Sequence, residues 1–309
     1  MFRHACGLSP VPQSKKIVEW LKSNSSESAC LIDGNLRDPR PLVFDLGVGS
    51  QLLAGDGAGA DTQAVTKKLF ERIQGAGAGV GVGRYNEARL VYAAGHFVVQ
   101  TDEMPENRTV HLGLDLYLPA GSRVYAPLDG KVHSFNNNRA PLDYGPTIII
   151  EHQTGDGDPF YTLYGHLSPE SLDGLKAGIL IETGQPIARI GNTDVNGGWP
   201  PHLHFQIITD MLGEKGNFPG AARPSQRDIW LAISPDPNIV LGIPPECFPT
   251  AGRTQDEILA LRRQKLGRNL SIAYRSPLKI VRGRGQYLYS EDGQAYLDGV
   301  NNVCHVGHC

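Results

Sequence analysis

The 309-residue sequence is poor in cysteine, tryptophan and methionine, and it contains no long apolar run. Its five cysteines (Cys6, Cys30, Cys247, Cys304 and Cys309) are odd in number and widely scattered. That argues against a disulfide framework and agrees with a reducing compartment. No apolar stretch reaches the roughly 18–20 residues that a membrane-spanning helix needs, so no membrane partner is expected. The opening MFRHACGLSPVPQSKK lacks an apolar segment of signal-peptide length, and the literal expectation is a cytoplasmic protein. Long basic runs are missing and the net charge is −3. A phosphate-binding surface, and with it a nucleic-acid partner, is therefore not expected. No HExxH pattern occurs, which excludes a thermolysin-like metal helix.

What is present suits a soluble globular chain with room for one large or two modest domains. Apolar residues make up 40% of it, and 37 glycines with 22 prolines favour short strands and turns over long helices. Helical spacing of Ile17, Val18, Trp20 and Leu21 predicts a helix over 14–23, and PLVFDLGV (41–48) reads as a strand. A second helix is predicted over 61–74, capped by Asp61 or Thr62, with Val65, Leu69 and Ile73 four apart. The GAGAGVGVG run (75–83) has the wrong order of strand and helix around it for a nucleotide-binding turn, and a flexible connector is expected.

From about 84 to 212 short apolar or alternating runs follow one another: RLVYAAGHFVVQ, HLGLDLYL, RVYAPLDGKVHSF, PTIIIEHQ, FYTLYGHL, PIARIG and HLHFQIITD. The expected fold class is mainly β, a compact antiparallel sheet with short flanking helices and a C-terminal arm. RDIWLAI (227–233) predicts a helical turn, and the proline-rich 234–253 an extended linker or covering arm. Thr254 and Glu257 form a potential capping box for a helix over 254–267. The expected organisation is an N-terminal helical and linker region (1–83), a β domain (84–233), a proline-rich linker with its helix (234–267), and a separate piece (268–309).

Chemistry concentrates in two strands. In HLGLDLYL, alternation puts Leu112, Leu114, Leu116 and Leu118 toward a core and leaves His111 and Asp115 on the other face. In HLHFQI (202–207), His202, His204 and Gln206 share one face in the same way. Two histidines and one carboxylate, with a position left for water, describe a catalytic zinc site; non-haem iron uses the same ligand types. The competing reading makes these histidines ordinary polar residues of a sheet. HxxxD and HxH together, each on strand alternation, favour the metal.

The order HLGLD, APLDGKV (126–132), YGP…IIIEH (144–152), YTLYGHL (161–167), GQPIARIGNT (184–193) and PPHLHF (200–205) resembles the LytM/lysostaphin family of zinc metallopeptidases over about residues 108–210. The resemblance implies a compact antiparallel β domain with the site in a groove. It implies His111, Asp115 and His204 as ligands of Zn2+, and His166 and His202 as the catalytic pair acting on a peptide substrate. Tyr164 is placed beside His166 by alternation, where it could support it. Trp199 and the two prolines before HxH are read as groove wall or packing. His133 and His152 are read as structural, and His4 and His96 have no evident partner.

Residues 275–309 end in Cys304, His305, His308 and Cys309, a set that taken alone could bind metal. The stretch YLYSEDGQAYLDGVNN within it is similar to the N-terminal segment of class III, pyridoxal-phosphate-dependent aminotransferases, which makes the Cys/His cluster ordinary chain. The cofactor lysine of that family would come far downstream, so no pyridoxal phosphate chemistry is expected. The layout resembles fusions of a kinase-like domain, a LytM-like domain and an aminotransferase. The leading expectation is a zinc metalloendopeptidase for small, glycine-containing or wall-derived peptides. The alternative is a non-degradative zinc-binding module. YLYSEDGQAYLDG reads as a two-stranded hairpin without a core of its own, which needs a surface on the β domain or on a second copy of the chain, as in a homodimer.

Overall fold

The computed structural model describes residues 7, 11–34, 36, 39–52, 61–93, 97–100, 105–250, 252–267, 269–270, 272 and 275–299. His4, His96, Cys6 and the 304–309 cluster lie outside the described residues. Among the described residues no helix is long and apolar enough to cross a membrane.

One eight-stranded sheet organises the chain. Its strands are β1 (Leu42–Phe44), β2 (Gly81–Gly83), β3 (Leu114–Tyr117), β4 (Gly130–Asn138), β5 (Gly145–Gln153), β6 (Pro159–Gly165), β7 (Leu180–Ile181) and β8 (Leu203–Ile208). Their spatial order is β1-β2-β3-β8-β6-β5-β4-β7. All neighbours run antiparallel except β1 and β2, which are parallel. The fold is mainly β, as the alternating runs require, and the sheet is mixed at one edge.

The alternation sorts side chains onto two faces. Leu114, Leu116, Ile148, Ile150, Tyr164, Phe205 and Ile207 share one core. It is closed by Ile17 and Leu21 of helix α1 (Ser14–Asn24) and by Val240 and Ile243. The proline-rich 234–253 stretch is thus a covering arm, with a short helical turn at Asn238–Leu241. On the opposite face Ile149, Leu163 and Ile208 pack with Phe218 and with Ile233 at the end of the Arg227–Ile233 helix. The same face of β3 and β8 carries Asp115, His204 and Gln206.

The glycine run departs from expectation. Helix α2 (Thr62–Gly75), capped by Asp61 through Gln63 N, crosses from β1 to β2. Gly81–Gly83 are not a connector: they are a buried strand paired with β3 on one side and β1 on the other. A Cβ at Gly81 would lie 2.5 Å from Phe44 and 2.7 Å from Ile73. The residue is small because side chains from β1 and α2 fill the space above it. The run 89–100 is not one strand either; it holds a 3-10 turn at Leu90–Ala93 and a two-residue strand at Val98–Val99.

The helix Gln255–Lys265 begins with the expected capping box of Thr254 and Glu257. In the C-terminal arm YLYSEDGQAYLDG forms the expected hairpin, Tyr287–Ser290 with Ala295–Leu297, and a third strand ahead of it, Ile280–Arg284, extends the sheet. It docks through Asp292, whose carbonyl accepts from Thr109 Oγ1 at 2.5 Å and whose carboxylate meets Arg227 at 2.7 Å.

Candidate metal centre and its cavity

The register of the sheet brings two of the sequence-derived residues side by side: His204 of β8 pairs with Asp115 of β3. The chain bends at Gly113, so His111 sits on the preceding short strand Val110–His111, which pairs with Ala221–Ala222. One ligand atom from each of His111, Asp115 and His204 lies within 4.8 Å of the others, and all three residues are buried. His111 Nε2 and His204 Nδ1 are 3.0 Å apart, and each is 3.2 Å from Asp115 Oδ1.

The outer hydrogen bonds fix which nitrogens are bare. His111 Nδ1 donates to the Arg84 carbonyl at 2.9 Å, leaving Nε2 turned inward without its proton. His204 Nε2 donates to Gln206 Oε1 at 2.9 Å, leaving Nδ1 inward. The orientation of the Gln206 amide is set in turn, because its Nε2 donates to the Pro219 carbonyl and to Ser234 Oγ. Two lone pairs and a carboxylate oxygen therefore converge with no proton to share. This donor set fits a divalent cation with nitrogen and oxygen ligands, zinc among them.

His166 and His202 stand beside this group, with ring centroids 4.2 Å apart. His166 Nδ1 donates to the Asn196 carbonyl at 2.9 Å and His202 Nδ1 to the Pro200 carbonyl at 2.7 Å. Each ring thus keeps its Nε2 lone pair. His166 has a left-handed backbone, φ 64°, uncommon for a residue with a Cβ. It is held there by His166 N to the Tyr144 carbonyl and by Gly191 N to its own carbonyl, both 2.9 Å. That turn also removes the predicted partnership with Tyr164: the regular alternation ends at Gly165, and Tyr164 stays in the core, its hydroxyl hydrogen-bonded with Thr162 Oγ1 at 3.0 Å. The tyrosine near His166 and His204 is Tyr144, whose hydroxyl is 3.4 Å from His204 Nε2.

Burial and neighbouring charge set the protonation. Burial would raise the Asp115 carboxyl, but the His111 imidazole and the Arg89 guanidinium outweigh it and hold it well below the usual carboxylate range. Burial, helped by Arg89, lowers His111 to about 4. Burial and the adjacent imidazoles push His166 well down, and burial lowers His202 against the pull of Asp115. Neutral imidazoles are what ligation and proton acceptance both require.

A cavity of about 870 Å³ opens over these residues and is lined by Asp115, His166, His202 and His204. Its walls include Tyr92, Trp199 and, from α2, Val65 and Leu69. Trp199 packs its ring against those of His166 and Tyr92, so the tryptophan before the two prolines is cavity wall. His133 and His152 are elsewhere: His133 is bonded to Ser134 Oγ, and His152 to the Asp129 carbonyl and Thr162 Oγ1. Sequence reading missed Tyr144, Gln206 and the Arg84–Arg89 segment as supports of the site. Gln206 carried a signal in sharing the alternation of His202 and His204; RYNEAR, a charged cluster right after a glycine strand, carried a weaker one.

Residues 109–216 match the model of Peptidase family M23. All five residues singled out above fall inside that stretch, and the match supports a LytM/lysostaphin-like peptidase domain there. An "Uncharacterized metalloprotease" of Haemophilus influenzae is 35% identical over 97 residues, 31% of this chain and 18% of that protein. "Alanine--glyoxylate aminotransferase 2-like" of Drosophila melanogaster is 54% identical over 57 residues, 18% of this chain and 12% of that protein. Among solved structures, a "zinc containing peptidase from vibrio cholerae" is 33% identical, covering 32% of this chain and 27% of that one, with a TM-score of 0.26. The chain spans between 12% and 18% of the length of the first curated relatives it matches.

Proposed function

We propose that the β domain is a zinc-dependent endopeptidase in which His111, Asp115 and His204 hold the ion while His166 and His202 handle protons. The observation that carries this reading is the juxtaposition of three convergent proton-free ligand atoms, those of Asp115 and His204 from residues lining the cavity, with two cavity-lining imidazoles whose Nε2 atoms make no hydrogen bond, that of His202 lying 3.7 Å from Asp115 Oδ1. A bound zinc ion would supply Lewis acidity toward a scissile carbonyl and acidify a water molecule. The protein supplies the rest. Neutral His166 or His202 can accept a proton at Nε2, and once protonated the same atom can donate to the departing amine. Their Nδ1–H groups donate to the Asn196 and Pro200 carbonyls throughout, which keeps both rings in the tautomer that leaves the Nε2 lone pair free.

The substrate is a peptide, of the small, glycine-containing or wall-derived kind that the family resemblance implies. The test is elemental analysis of protein purified without added metal, followed by hydrolysis assays on a peptide panel with free termini and wall-type cross-bridges. About one zinc per chain together with cleavage of at least one peptide is the expected result. Absence of zinc would end this reading. Stoichiometric zinc without cleavage of any peptide would favour a non-degradative zinc-binding module.

A further inference from the structure

Much of what holds the ligands in place comes from residues 84–92, outside the stretch that matches the peptidase family. From the surface inward the side-chain charges alternate: Asp45, Arg84, Glu87, Arg89, Asp115. Arg84 Nη2 meets Asp45 Oδ1 at 2.6 Å, and Arg84 Nε donates to Glu87 Oε1 at 2.7 Å. Arg89 Nε donates to Glu87 Oε2 at 2.9 Å, and Arg89 Nη1 to Asp115 Oδ2 at 2.6 Å. The Glu87, Arg89 and Asp115 side chains are at most 5% exposed. Glu87 is anchored once more by Leu46 N. Arg89 Nη2 donates at 3.2 Å to the Arg84 carbonyl, the same atom that receives His111 Nδ1. One short segment therefore touches two of the three proposed ligands. Gly83 makes room for it, since a Cβ there would lie 2.8 Å from Arg89 Nη2 and 3.0 Å from Asp115 Oδ2.

We propose that Arg89 is a positioning residue of the metal centre: it occupies Oδ2 of Asp115 so that Oδ1 alone faces the ion. This rests on reading His111, Asp115 and His204 as zinc ligands. A carboxylate on a strand can rotate about its last bond and offer either oxygen or both. The guanidinium fork prevents that, because its plane is fixed by Glu87 on one side and by the Arg84 carbonyl on another. Lysine cannot do the same: a single ammonium lacks the planar set of donors needed to satisfy Glu87 and Asp115 together. An arginine with only one of these partners would leave buried charge unpaired, which explains why the chain of alternating charges runs unbroken to the surface.

The test uses the full chain as wild type, Arg89→Met, Arg89→Lys and Glu87→Gln. Zinc affinity is measured by competition with a chelator, and ligand geometry by the visible absorption of the cobalt(II)-substituted protein. Arg89→Met is expected to weaken zinc binding by roughly 10-fold to 100-fold and to change the cobalt bands as Asp115 turns. Arg89→Lys should recover part of the affinity but not the wild-type spectrum. Glu87→Gln keeps an acceptor for Arg89 Nε and should shift the spectrum less, in the same direction. A folded Arg89→Met protein with wild-type affinity and spectrum would overturn the proposal. If Arg89→Met does not fold, an unchanged cobalt spectrum in both Arg89→Lys and Glu87→Gln would overturn it. Wild-type protein that takes up no zinc would overturn this inference and the function beneath it, whereas normal uptake by wild type and variants alike would overturn this inference alone.

Discussion

Two groups of histidines are buried in this sheet, and burial lowers the basicity of both. His152 falls to about 4, like His111, and it is as enclosed as His166 and His202. The groups differ in their second ring nitrogen. His152 spends both, on the Asp129 carbonyl and on Thr162 Oγ1, each at 2.7 Å. His166 and His202 each spend one on a backbone carbonyl and turn the other toward a cavity. A depressed pKa therefore does not separate His152 from the two histidines proposed to handle protons. The second ring nitrogen, turned to the cavity without a hydrogen bond, does.

The sharpest way to break that distinction is kinetic. His166→Ala and His202→Ala are expected to cut peptide hydrolysis by roughly 100-fold to 10,000-fold each while zinc content stays unchanged. His152→Ala should leave turnover of the folded enzyme within a few-fold of wild type. Equal losses at all three positions, or loss of zinc in the first two, would erase the contrast.

Acid stability probes the other member of the pair. An unfolded imidazole titrates near 6.5 and folded His152 near 4. Between these values the unfolded chain binds the extra proton, so the contribution is complete above pH 6.5 and is lost as pH falls toward 4. From this group the loss is about 3 kcal/mol. Urea titrations of zinc-free wild type and His152→Leu across that range should give a shallower pH slope for the variant; parallel slopes would mean that His152 does not titrate as its enclosure requires. The smallest effect is expected for Thr162→Val, which removes a hydrogen-bond partner from His152 and from Tyr164 with little change in volume. It should cost about 1–3 kcal/mol in unfolding free energy and leave zinc affinity alone.

Much of the site was legible in the sequence, because strand alternation is a local rule. HxH predicts a shared face, and the register of β3 with β8 sets His204 beside Asp115, whereas His111 reaches them from the preceding short strand, across the bend at Gly113 that alternation does not foresee. The outer supports were not legible, for reasons of distance. Arg89 meets Asp115 across 26 residues and His204 meets Tyr144 across 60, and no periodicity records such pairings. The glycine run misled in a different way. Its composition reads as flexibility, while its smallness at 81 answers to Phe44 and Ile73 packed above it. Tyr164 misled because alternation was extended one residue too far, through the left-handed turn at His166. The C-terminal arm was recognisable as strands, but its third strand, and the contacts of Asp292 with Thr109 and Arg227, depend on tertiary docking.

The pairing of β2 with β3 has a practical side. Residues 109–216 contain all five histidine and aspartate positions of the site, and it is tempting to regard that stretch as a portable catalytic unit. Cut out on its own, it would present the backbone amides and carbonyls of Asp115–Tyr117, now served by Gly81–Gly83, as a bare sheet edge. Such edges recruit strands from other molecules. The strand thus unprotected is the one that bears Asp115, so self-association of the excised piece would begin at the proposed metal centre itself.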